Sequence, residues 1–165
     1  MMYSAAIITC SDASSRGERE DRSGPAVREL LEQAGYSVEN LIIVPDETDA
    51  IAGAIRSAAD AGWRLIVTTG GTGIAPRDVT PEATLTVCER TIPGFGELMR
   101  AASLSTTRKA ALSRCQAAIL KTALVVNLPG SVAGATECLE AVLDLIPHAL
   151  ELLEGNTEHP LQPRK

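Results

Sequence analysis

Four short apolar runs, each opening onto a polar or glycine-bearing loop, constrain this chain more than any other feature: residues 5–9, 41–44, 65–68 and 124–127. Runs of that length with little polar interruption read as strands buried on both faces. Helical patterns lie between them. Residues 24–34 place Val27, Leu30 and Leu31 on one face and stop at Gly35, as a glycine just past a helix end directs. Thr48 is expected to cap a second helix that runs to about residue 61, with Ile51 and Ile55 one turn apart and Gly62 beyond its end. Strands alternating with helices imply parallel β-α-β units joined by right-handed crossovers.

Residues 116–120, the pair Lys121-Thr122 and residues 123–127 read instead as an antiparallel hairpin, which makes the sheet mixed. After Pro129-Gly130 a helix is expected from about 133 to 145, interrupted near Pro147, continuing toward Leu153 and closed by Gly155. The expected fold class is therefore α/β. It is a single three-layer domain with a mostly parallel sheet, an antiparallel hairpin at one part and helices on both faces. That domain spans 1–155, and 156–165 is expected to be a flexible C-terminal tail.

Composition narrows the partners. The chain has 165 residues, 45% hydrophobic and 22% charged, which suits one globular domain and is too apolar for disorder. Its aromatic residues are Tyr3, Tyr36, Trp63 and Phe95, so no row of rings exists for stacking bases, and the net charge of −6 opposes a phosphate backbone. No nucleic-acid partner is expected. A small anion remains compatible, because local backbone N–H groups can outweigh global charge. Cys10, Cys88, Cys115 and Cys138 are widely spaced with no C-x-x-C pair, and they read as reduced core residues. No run reaches bilayer length and no basic segment with an apolar core opens the sequence, so the expected location is cytoplasmic, with no membrane partner.

The most informative stretch is 65–82, in which a buried strand runs into Thr69-Gly70-Gly71-Thr72-Gly73 and on through Arg77-Asp78. Ligands of open α/β sheets lie beyond the carboxyl ends of the strands, where glycines let backbone N–H groups approach an anion. Thr69 and Thr72 offer hydroxyl donors. Thr80 is expected at the N-cap of a following helix, with Pro81 at its first position and Glu82 just inside. A phosphorylated small molecule is therefore expected on residues 69–78. The pattern is not a P-loop, since no Gly-Lys-Ser/Thr follows, and Ala75-Pro76 stands where the dinucleotide fingerprint needs its third glycine.

Three further loops follow predicted strands. Asp46, in Pro45-Asp46-Glu47, is placed to converge with Asp78 on a divalent cation of the Mg²⁺ type; the plainer alternative makes Asp46 and Glu47 turn and helix-entry residues. Asn127-Leu128-Pro129-Gly130-Ser131 offers an amide, backbone N–H groups and a hydroxyl, or is an ordinary turn. Ser11-Asp12 begins a polar loop through Asp21 at the same end of the sheet. His148 and His159 complete no Ser-His-Asp or Cys-His set, so covalent acyl chemistry is not expected. Phosphoryl or nucleotidyl transfer needs mainly positioning and charge neutralisation, which these loops supply.

Five ordered segments resemble the MogA/MoaB family of molybdenum-cofactor biosynthesis proteins: Thr68-Thr69-Gly70-Gly71-Thr72-Gly73, Arg77-Asp78-Val79-Thr80-Pro81-Glu82-Ala83, Pro93-Gly94-Phe95-Gly96-Glu97, Leu112-Ser113-Arg114 and Asn127-Leu128-Pro129-Gly130-Ser131. The resemblance covers almost the whole chain. It implies an enzyme that, with ATP and Mg²⁺, transfers AMP to the terminal phosphate of molybdopterin. It also implies that Asp46 and Asp78 are the catalytic and metal-binding pair. By the same resemblance, Thr69, Gly70, Gly71, Thr72, Gly73, Ser113, Asn127, Pro129, Gly130 and Ser131 bind pterin or nucleotide, and Ser11, from its place after the first strand, is expected to bind in the same crevice. A homo-oligomer, a trimer or hexamer, and a molybdenum-insertion enzyme as downstream partner are further implications. The alternative within the family is a non-catalytic MoaB-type pterin-binding protein.

Overall fold

In the computed structural model residues 3–156 are described, so the tail expected at 156–165 lies, but for Asn156, outside the described residues, as does His159. Six strands form one sheet in the order β2-β1-β3-β6-β5-β4. The strands are β1 (Ser4–Cys10), β2 (Ser37–Val44), β3 (Leu65–Thr69), β4 (Arg90–Thr91), β5 (Gln116–Leu120) and β6 (Ala123–Leu128). Strands β2, β1, β3 and β6 run parallel, while β5 and β4 are added antiparallel beyond β6. The expected mixed α/β sheet is thus present, and Lys121, with φ of 56°, makes the tight turn between β5 and β6.

Two-residue alternation along the central strands sends side chains to two cores. Ala5, Ile7, Leu65, Val67, Leu124 and Val126 pack with α2 (Ser23–Gln33), α5 (Pro93–Leu104), α6 (Val132–Glu140) and α7 (Ile146–Leu153), through residues such as Leu31, Met99, Leu139 and Leu150. Ala6, Ile8, Ile66 and Val125 pack on the other face against α3 (Thr48–Asp60) and α4 (Thr80–Val87), through Ile51, Ile55 and Ala83. Both faces are covered, as a parallel sheet requires.

Several local expectations are corrected. Strand β2 begins at Ser37, earlier than its apolar run, because Ser37 and Val38 pair with Ser4 and Ala5 ahead of a register shift between Ala5 and Ala6. Glu47, not Thr48, is the N-cap of α3, and its side chain makes no capping bond. Val79 is the N-cap of α4, and the Thr80 hydroxyl donates instead to the Gly70 carbonyl at 2.9 Å. The last helical stretch breaks over 141–145, ahead of Pro147, which sits in the first turn of α7 where a missing N–H costs little. A short α1 (Asp12–Ser15), the helix α5 and a 3-10 turn at Arg108–Leu112 had no counterpart in the sequence reading. The Ser11 side chain caps α1 by accepting from the Ser14 N–H at 3.2 Å. All four cysteines are free, with Cys10, Cys115 and Cys138 buried and Cys88 half-buried.

Candidate functional site

The loops after β1, β2, β3 and β6 meet at one end of the parallel strands. Gly70 and Gly71 turn the chain out of β3 with φ of 91° and 66°, the left-handed region that disfavours side chains. A Cβ at Gly70 would meet the Cys10 carbonyl, and one at Gly71 would meet the Thr80 hydroxyl and stand 3.3 Å from Asp46 Oδ1. The turn is pinned on each side. The Gly70 N–H donates to the Leu128 carbonyl at 3.0 Å, and the Thr80 N–H to the Gly71 carbonyl at 3.1 Å.

The rest of the loop is held by a residue distant in sequence. Arg114 Nε donates to the Gly73 carbonyl at 2.7 Å, its Nη2 to the Asp78 carbonyl at 2.6 Å, and its Nη1 pairs with Glu82. Its N–H also donates to the Thr72 carbonyl at 2.8 Å. Arg114 sat within a motif noticed in the sequence, but nothing there assigned it this clamp.

Two cavities open at this end. One, of about 620 Å³, is lined by polar groups that include Ser11, Arg19, Asp21, Ser23, Asp46 and Thr69. The other, of about 560 Å³, is walled by α5, the 3-10 turn and α6, with Met99, Arg100, Lys109, Leu112, Ser113 and Pro129 among its lining residues. Both volumes suit small molecules. Gly71, Asp78, Gly130 and Ser131 line both cavities, so the glycine turn and the loop after β6 form the ridge where they join.

Of the sequence-predicted residues, Ser11, Asp46, Thr69 and Gly70 fall in the polar cavity, while Thr72, Gly73, Ser113 and Pro129 fall in the other. Gly71, Asp78, Gly130 and Ser131 fall in both. Asn127 is set apart. Fully buried, its amide donates to the Thr68 hydroxyl at 2.9 Å and accepts from the Gln116 side chain at 3.2 Å, within the sheet. The Thr69 hydroxyl is likewise engaged, 2.9 Å from the Ser23 hydroxyl and 3.4 Å from that of Thr9. Ser131 caps α6, accepting from the Gly134 N–H at 3.1 Å. The cavity walls contributed by α5 and the 3-10 turn, Arg100, Ser103 and Lys109 among them, were missed.

The carboxylates are arranged asymmetrically. Asp46 Oδ2 accepts from the Asp12 N–H at 2.8 Å and Asp78 Oδ2 from the Ala75 N–H at 2.8 Å, which leaves Oδ1 of each outside these bonds. Burial pushes the Asp46 carboxyl above the usual carboxylate range, and the charges of Asp12 and Asp78 add to the rise against the backbone bond from Asp12. Asp12 is held below that range by Arg77. Among the described residues no three His, Cys, Asp or Glu side chains form a metal-holding group. A cation here would have two carboxylates and substrate phosphates as ligands. Carboxylate oxygens such as those of Asp46 and Asp78 are the donor type that Mg²⁺ takes together with substrate phosphates.

Fold and site define an α/β protein with a bipartite small-molecule cleft beyond the carboxyl ends of its parallel strands. The chain belongs to the family described as "Probable molybdopterin binding domain", which it matches over residues 6–148. It is 45% identical over 155 residues to the molybdopterin adenylyltransferase of Helicobacter pylori J99, covering 91% of this chain and 87% of that one. Against the molybdopterin adenylyltransferase of Escherichia coli K12 it is 40% identical over 165 residues, covering 90% and 84%. The crystal structure of the molybdopterin biosynthesis enzyme MoaB from Thermus thermophilus aligns with a TM-score of 0.88 at 47% identity, covering 98% of this chain and 100% of that one.

Proposed function

We propose that this chain is an adenylyltransferase of molybdenum-cofactor biosynthesis, transferring AMP from ATP to the terminal phosphate of molybdopterin. The observation that carries this reading is the pair of cavities joined at Gly71, Asp78, Gly130 and Ser131. A transfer between two bound molecules needs such a junction, and relatives bearing the adenylyltransferase name support the choice of reaction. In the reaction a phosphate oxygen of molybdopterin attacks the α-phosphorus of ATP, the bond from that phosphorus to the bridging oxygen breaks, and pyrophosphate leaves. The two anions repel. The backbone N–H groups of Gly71, Thr72 and Gly73 offset that repulsion, and do so without reorganisation because Arg114, Thr80 and the Gly70 N–H bond to Leu128 hold the turn in place. Mg²⁺ bound between Asp46 and Asp78 would neutralise phosphate charge. The nucleophile is already an anion, so no general base is assigned.

The binding unit in this reading is residues 1–155, in a cytoplasmic homo-oligomer, a trimer or hexamer, that passes its product to a molybdenum-insertion enzyme. Among the described residues no helix is long and apolar enough to cross a membrane. A purely pterin-binding role of the MoaB type leaves the polar cavity, with Asp46 in its wall, without a purpose. Incubation with molybdopterin and MgATP tests the choice. Adenylylated pterin and pyrophosphate are expected in equal amounts, and pterin binding without either product returns the non-catalytic reading.

A further inference from the structure

Three loops from three different strands each send one charged residue into a chain of hydrogen bonds. Arg77, after β3, donates from Nε to Asp12 Oδ2 at 2.9 Å and from Nη2 to Asp12 Oδ1 at 2.8 Å, a two-pronged pairing. Asp12, after β1, donates its N–H to Asp46 Oδ2 at 2.8 Å and accepts from the Asp46 N–H, after β2, at 3.0 Å. Asp46 is therefore gripped by Asp12 at both its backbone and its carboxylate, which turns its Oδ1 toward Gly71.

We propose that Arg77, acting through Asp12, is a positioning residue: it fixes Asp46 at the glycine turn and cancels the charge of the carboxylate bonded to Asp46. The proposal rests on the adenylyl-transfer reading above. The ion pair adds little to the fold, since the Arg77 side chain is 59% exposed and Asp12 is 24% exposed. Its geometry matters more. Without Arg77 the Asp12 carboxylate is free to turn and release the Asp46 N–H, and a displacement of about 1 Å at a reacting centre costs up to about 10²-fold in rate. Charge matters as well. The polar cavity is already lined by Glu20, Asp21, Asp46 and Asp78, and an unpaired Asp12 bonded to Asp46 would add a further negative charge that Arg77 cancels.

Position and charge separate in three variants, measured by MgATP titration calorimetry, steady-state kinetics and thermal melting. Arg77→Met is expected to melt within about 2 °C of wild type, as loss of an exposed pair allows. Its kcat falls about tenfold or more with KM for molybdopterin unchanged, and its MgATP affinity falls about threefold or more. Arg77→Lys restores the charge without the fork, so MgATP affinity recovers while kcat stays low. The double variant Asp12→Asn with Arg77→Met removes the uncompensated charge and again recovers affinity without kcat. A wild-type kcat in Arg77→Met overturns the proposal. So does a fall in melting point matching the loss of activity, or full recovery of kcat by Lys. A wild-type protein that binds MgATP but forms no adenylylated pterin fails the functional reading instead, and the affinity pattern of the three variants then decides the charge role alone.

Discussion

Arg114 holds the Gly73 carbonyl at 2.7 Å across 41 residues of sequence, tying the end of the 3-10 segment to the loop that separates the two cavities. The same guanidinium reaches the Asp78 carbonyl, so one side chain sets the path of the chain between the turn and the second carboxylate. Replacing Arg114 by Lys keeps the charge but cannot serve two carbonyls and Glu82 at once. Turnover is expected to fall about tenfold or more, with a loss of about 1–3 kcal/mol in stability from the half-buried carbonyls left without partners. Kinetics and chemical denaturation check this, and a variant with wild-type turnover removes Arg114 from the site's support.

The glycine turn separates strain from function. Gly71→Val puts a branched side chain at φ of 66° and against Thr80, so roughly 1–2 kcal/mol of stability is lost with ligand binding. Gly73→Ala meets no such backbone strain, but its Cβ would stand 2.7 Å from Asp78 Oδ2 and displace that carboxylate. Gly73→Ala is expected to melt near wild type while losing activity. Unchanged affinity for molybdopterin and ATP in both variants would place phosphate binding elsewhere.

Thiol chemistry reports on the core. Burial and the neighbouring Glu89 push the half-buried Cys88 thiol up to about 12, and burial pushes Cys10 up to about 12. Cys115 is lowered by hydrogen bonds from Cys138 and Ser113 but is only 1% exposed. Thiolate fraction and access thus oppose each other at these sites. Near neutral pH the native protein is expected to react slowly with Ellman's reagent, and all four cysteines to react once it is unfolded. Rapid native labelling of Cys115 would show that the core around it opens.

How much of this was legible in the sequence follows from side-chain direction. Three of the four apolar runs became strands buried on both faces, while the run 41–44 falls in the edge strand β2, half-buried with Ile43 39% exposed, where only β1 pairs with it. Loop glycines and carboxylates were legible because they follow those strands. Asn127 was not. Residue 127 was expected to end the strand and to offer its amide to a ligand, but in register with Thr68 on one side and Gln116 on the other that amide is spent on both. Helix α5 was obscured by its opening Pro93-Gly94-Phe95-Gly96, which reads as a loop, although Phe95 and Met99 are buried one turn apart. Arg114 depends on a contact between distant segments, which local pattern does not encode.

The proposed homo-oligomer is open to direct measurement. Exposed apolar side chains such as Leu98 and Leu104, at 44% and 47%, are of the kind that association covers. Light scattering is expected to return a homotrimer. A mass that stays monomeric at all concentrations contradicts this.

In the proposed reaction Asp46, in the wall of the polar cavity, and Asp78, at the junction of the two cavities, serve the transfer chemistry. The most direct measurement is the rate of adenylylated molybdopterin formation by Asp46→Asn and Asp78→Asn across a Mg²⁺ titration, alongside the melting point of each. Each substitution keeps the shape and removes one negative charge. Turnover is expected to fall about 10²-fold or more, as when one preorganised electrostatic partner is lost, with the melting point little changed. Wild-type turnover in both folded variants at every Mg²⁺ concentration would contradict the account.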